Sequence, residues 1–210
     1  NRPRRFTFIT RLNPTGSPEG PDINAMIAAL SLAFSFAVIF QFIVNQYRHV
    51  GATFYQEDPE GCRRFLRQLV VIILGAFILA QITPFTRWFI AHLQGASGEV
   101  LADAVRAVLF LTPIPLIIGW RNYHHARVMV ARKTTIMGLA AINRNIITAI
   151  AAGAAMAAGL LTVPFAALIL VLGFLAETTT VVLSGRRARV EKERNDANRS
   201  NQVANPDLDD

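Results

Sequence analysis

The stretch INAMIAALSLAFSFAVIFQFIVNQY, residues 23 to 47, contains no charged side chain. At 1.5 Å per residue it is long enough to cross the roughly 30 Å hydrocarbon core of a bilayer. Two further charge-free stretches follow, 68–86 and 145–176. A soluble core helix needs fewer consecutive apolar residues, so these runs predict membrane spans. Working outward from them, five spans are expected: 24–46, 68–82, 100–120, 135–158 and 165–183. The implied fold class is an all-α polytopic integral membrane helix bundle.

Composition agrees. The chain is 52% hydrophobic and only 17% charged, which excludes an ordinary soluble domain. The net charge of +7 does not point to nucleic acid, because the arginines gather at span ends and no aromatic stacking stripe accompanies them. Cys62 is the only cysteine, which rules out an internal disulfide and a cysteine metal centre. No nucleophile–base pair, phosphate-cradling glycine loop or metalloprotease motif occurs, so the chain is not read as an enzyme and no cofactor is expected. His124-His125 does not predict a metal, since adjacent helical residues point about 100° apart and no third ligand is near.

Basic residues mark alternate connections. Arg48, Arg63, Arg64 and Arg67 follow the first span, Arg127, Arg132 and Lys133 follow the third, and Arg186, Arg187, Arg189 and Lys192 follow the fifth. The second is followed only by Arg87 and the helix-borne Arg106, the fourth by none. This alternation places the basic loops and the C-terminus in the cytoplasm of a plasma (bacterial inner) membrane. The expected layout is a bundle over 24–185, preceded by an external loop over 13–23, with a polar tail over 186–210 that composition predicts to be disordered. Within the bundle, Glu57-Asp58-Pro59-Glu60-Gly61 is a turn signal, and Arg121 to Lys133 reads as a basic loop. The chain begins with Asn1, and Pro3 to Leu12 carries Phe6, Phe8 and Ile9. Residues 1–12 are therefore expected to be the stump of a truncated helix.

Ionisable residues at or inside the spans suggest function. A charge at bilayer depth costs roughly 2.5–3.5 kcal/mol, so it faces a watery cavity, a partner or a cargo. Arg144, flanked by Asn143 and Asn145, lies near the middle of the fourth span, and Glu177 lies in the fifth. Two readings of Arg144 stand together: contact with an anionic substrate, and an ion pair with Glu177. Glu177 is read as charge balance, with a proton or cation relay as the alternative. Arg121 and Arg48 either line a cavity or anchor at the interface; Arg2 joins them only if the stump is real. Gln41 and Asn45 share a helical face that is either a polar stripe toward a cavity or a helix–helix hydrogen bond. Pro113 and Pro115 should bend or break the third span, and Pro84 should kink the second, leaving 85–93 as a continuation with Trp88 at headgroup depth.

Several of these stretches resemble the progressive ankylosis protein family, within the multidrug/oligosaccharidyl-lipid/polysaccharide flippase superfamily. The resemblance rests on Arg2-Pro3 with Arg11, on Arg48 followed by Phe54 and Asp58-Pro59, and on Pro115, Arg121 and the run Met129-Val130-Ala131-Arg132-Lys133-Thr134. It continues through Arg144 and Gly173-Phe174-Leu175-Ala176-Glu177-Thr178-Thr179 to Arg186-Arg187. Gln46 stands where that family has an acidic residue. The resemblance implies the C-terminal half of a transporter with two six-helix bundles, whose partner would be a missing N-terminal half. It further implies export of small organic or phosphorylated anions, such as pyrophosphate, nucleotides or citrate, by alternating access. Two alternatives remain at this point: a cation-coupled drug or lipid-linked-sugar flippase of the same fold, and a non-transporting membrane scaffold subunit.

Overall fold

The computed structural model describes residues 22–204, with side chains as far as 186. The expected stump over 1–12, Arg2 and nearly all of the loop over 13–23 lie outside the described residues. Among the described residues helix is the only regular secondary structure. The seven helices are α1 (Ile23–Phe54), α2 (Pro59–Ile82), α3 (Phe85–His92), α4 (Gly98–Phe110), α5 (Ile114–Val130), α6 (Thr135–Ala157) and α7 (Val163–Ala204). Four of them, α1, α2, α6 and α7, are long and apolar enough to cross a membrane; α4 with α5, bent by 48°, makes a fifth span if taken together. The chain is an all-α polytopic helix bundle.

Local chemistry sets the boundaries. The Asp22 carboxylate accepts from the backbone N–H groups of Asn24 and Ala25 at 3.0 and 3.3 Å and starts α1. Asp58 caps α2 in the same way, accepting from Gly61 N–H at 2.8 Å, with Pro59 in the first turn where its missing N–H costs nothing. Pro84 ends α2, and hydroxyls take up the loose carbonyls: Thr83 donates to Leu79 O at 2.9 Å and Thr86 to Ala80 O at 2.8 Å. At the second break Thr112 donates to Leu109 O at 2.6 Å and to the Gln81 side-chain oxygen at 3.0 Å, tying the bend to α2. The prolines thus interrupt the spans where the sequence predicts.

Two helix ends close alike. After α6, Gly159 takes φ +66°, its N–H reaches Met156 O at 3.1 Å, and Leu160 N–H reaches Ala155 O at 2.9 Å. After α5, Arg132 fills the equivalent left-handed position at φ +56°, with Lys133 N–H on Val128 O at 3.0 Å.

Three boundaries differ from the sequence reading. The polar stretch after 47 is mostly helix, since α1 runs to Phe54 and α2 begins at Pro59. The segment read as a basic loop from Arg121 is the continuation of α5 as far as Val130, because its polar side chains find partners inside the bundle. Finally, α7 is helical to Ala204, where polar composition predicts disorder. Extending a helix already nucleated in the apolar part needs no new nucleus, and helix-favouring residues suffice.

In the bundle α1 is central, touching α2, α4, α5 and α7, while α6 lies against α7. Phe36, Phe40, Phe77, Phe85 and Phe89 form one aromatic cluster with ring centroids 4.8–6.3 Å apart. Side chains facing outward from α2, among them Val71, Ile72, Leu79 and Ile82, are exposed and apolar, as lipid contact requires.

Candidate functional site

α5 carries Arg121, Asn122 and His125 into the interior, against α1 and α7. An Arg121 terminal nitrogen donates to Glu177 Oε2 at 3.2 Å, and its other terminal nitrogen donates to Asn45 Oδ1 at 3.1 Å. Asn122 donates to the same Asn45 oxygen at 3.1 Å and to Val44 O at 3.0 Å. From α6, Arg144 donates to Glu177 Oε2 at 3.1 Å. Both guanidiniums therefore rest on one carboxylate oxygen. They also flank one ring, with Arg121 5.7 Å and Arg144 5.3 Å from the Phe174 centroid. The other carboxylate oxygen, Oε1, faces His125 Nε2 at 4.0 Å, beyond hydrogen-bond reach.

Burial within the triad is uneven. The side chains of Glu177 and Arg121 are 5% and 10% exposed, whereas Arg144 is 32% exposed. Two guanidiniums against one carboxylate leave one positive charge in excess. Among the described residues, several buried atoms here lack a hydrogen-bond partner: Arg121 Nε, Asn122 Oδ1, both His125 ring nitrogens and Gln41 Nε2. Unpaired polar groups at such depth are costly, and their concentration on one patch marks it as more than packing.

Glycine makes the geometry accessible. Gly173 sits one turn before Glu177 on α7, and a Cβ there would strike the Thr148 hydroxyl and press on Arg144. Its absence lets α6 come close enough for Arg144 to reach Glu177. Asn143 on α6 adds a bond to Thr180 of α7 at 2.8 Å.

The sequence-predicted residues divide clearly. Arg121, Arg144, Glu177 and Asn45 are brought together. Gln41 is buried one turn from Asn45 on α1. Arg48 is half-buried, makes no ion pair among the described residues, and lies near enough for its charge to act on Arg121 and His125. Pro113 and Pro115 lie at the α4–α5 bend, about two turns before Arg121 on α5. Sequence reasoning missed Asn122 and His125. The signal was there: Arg121 and His125 are four apart, hence on one helical face, so if Arg121 turns inward His125 follows. His124 points elsewhere, accepting from Trp120 Nε1 at 2.9 Å. Near this end of the bundle the Tyr55 phenol, shielded from water and sharing a 3.5 Å contact with the Tyr123 hydroxyl, is raised above its ordinary pKa and stays protonated.

Comparison with protein-family models, with curated proteins and with solved structures finds no match.

Proposed function

We propose that this membrane protein exports small organic or phosphorylated anions, of the pyrophosphate, nucleotide or citrate class, by alternating access. The observation that carries the reading is the asymmetry of the triad. Glu177 and Arg121 are sealed, while Arg144, close to the middle of α6, is a third exposed at a depth where exposure to lipid is costly. A guanidinium so placed would face a polar cavity once a second bundle packs against α6. The surplus positive charge makes that cavity attractive to an anion, and the planar donor fork of arginine suits phosphate or carboxylate oxygens.

In this mechanism Arg144 leaves Glu177 when an anion arrives, and Arg121 stays as the fixed counter-charge. The exposed face of α6 is where a second helix bundle would close the cavity, as the resemblance to the progressive ankylosis family implies. The test is efflux of labelled pyrophosphate or citrate from cells carrying the full-length protein. Arg144→Ala should lower efflux at least tenfold at unchanged surface abundance; unchanged efflux would remove that residue from the mechanism.

A second reading, a membrane subunit that scaffolds partners without transporting, draws support from the pairing of both arginines with Glu177. It predicts no efflux above background for any of these anions from the wild-type protein, with normal membrane insertion.

A further inference from the structure

On another face of the bundle, a groove of about 750 Å³ runs between α2 and α5, and none of Arg121, Arg144 and Glu177 lines it. The two helices lie against each other at Gly119, where an added Cβ would meet Val70. The groove changes character along its length. At one end stand Arg63, Arg64, Arg67 and Arg127. Glu60 is the single carboxylate in the lining, and it is shared with Arg64 at 3.8 Å, which leaves three positive charges in excess. At the other end the walls are Val71, Leu116 and Trp120, which are 64%, 55% and 49% exposed on the lipid-facing surface. Arg127 is held over the Tyr123 ring at 5.8 Å, so at least one of the cations is positioned.

A free anion would use only the charged half of this groove, and a neutral lipid only the apolar half. An anionic phospholipid matches both, with its phosphate between arginine forks and an acyl chain along the wall. The charged end is also the basic end of the bundle, which the charge rule turns toward the leaflet richest in anionic lipid. We propose that this groove is a binding site for one anionic phospholipid, independent of the transport reading. The bland account is that these arginines only fix the orientation of the chain, and it predicts no headgroup preference at the groove.

These 210 residues carry two tryptophans, Trp88 and Trp120, so Trp88→Phe, with any tryptophan outside them also changed to Phe, leaves a single reporter in the groove wall. The full-length Trp88→Phe protein is reconstituted in phosphatidylcholine vesicles containing a few mole per cent of chain-brominated lipid, either phosphatidylglycerol or phosphatidylcholine. Quenching of Trp120 should favour brominated phosphatidylglycerol by about fivefold in apparent affinity. Adding Arg63→Gln, Arg67→Gln and Arg127→Gln should bring that preference to about one, while Arg106→Gln, at an exposed pair elsewhere, should leave it intact. Equal quenching by the two lipids overturns the proposal, as does a preference that survives the triple substitution. So does complete reversal by inorganic pyrophosphate, which would mean the groove reads soluble phosphate and not lipid. The headgroup comparison needs only the Trp88→Phe protein and decides the matter even if the triple variant does not fold.

Discussion

Two guanidiniums on one carboxylate oxygen make Glu177 the residue on which the interior depends. Removing one partner of a buried ion pair leaves an uncompensated charge and typically costs about 3–5 kcal/mol. Glu177→Gln should therefore destabilise the protein in detergent by roughly that amount, because it strands two cations at once. Arg121→Ala should follow closely. Arg144→Ala should cost clearly less, since that side chain is already a third exposed and Arg121 still neutralises the carboxylate. Thermal unfolding of the three variants checks the order, and equal losses would contradict it. The pairing of Arg144 with Glu177 was one of the two readings the sequence offered for Arg144, since two opposite charges in neighbouring spans have few other partners. That Arg121 completes the group was not. The sequence leaves it at a span end, where snorkelling and burial are equally natural, and only the course of α5 past the bend decides.

At the scale of the element, the bends and ends carry the consequences. Arg132 holds the left-handed position that glycine fills after α6. A side chain there costs about 1 kcal/mol, so Arg132→Gly should raise stability by up to that amount, seen as a higher unfolding temperature. Replacing both Pro113 and Pro115 with Ala supplies the two N–H groups that proline lacks and should let α4 and α5 straighten. With Cys62→Ser as background, spin labels on Glu99→Cys and Ala131→Cys should then move apart by about 4 Å, from 1.5 Å of rise per residue and the loss of the 48° bend. No change in distance would show that packing, not proline, sets the bend. The positions of both interruptions were readable because Pro84 and Pro113 fall inside apolar runs. The lengths of α1, α2 and α5 were not, because hydropathy reports where lipid ends and helices continue beyond it.

For the whole molecule, the apolar spans establish a membrane bundle, and the alternation of basic connections adds an orientation to be tested. In the Cys62→Ser background, a single cysteine at Gln56 or Ala131 should react with a membrane-impermeant maleimide only from the cytoplasmic side. One at Gly95 or Gly159 should react only from the outside. Labelling of all four from one side would invalidate the arrangement. The uneven enclosure of the helices was also beyond the sequence: α6 is the least apolar of the four unbroken spans and yet the least enclosed, while α7 is the most enclosed. Hydropathy cannot separate a face turned to lipid from one turned to another bundle, since both are apolar.

The unbroken course of α7 gives the molecule a lever. Its 42 residues extend about 63 Å, roughly twice the hydrocarbon thickness, and Glu177 lies about a third of the way along. A tilt of about 10° pivoting at that carboxylate would sweep the distant tip near Ala204 through about 7 Å, from the same 1.5 Å rise. Rearrangement at the buried charges would thus be magnified into a displacement that a probe outside the bilayer can register.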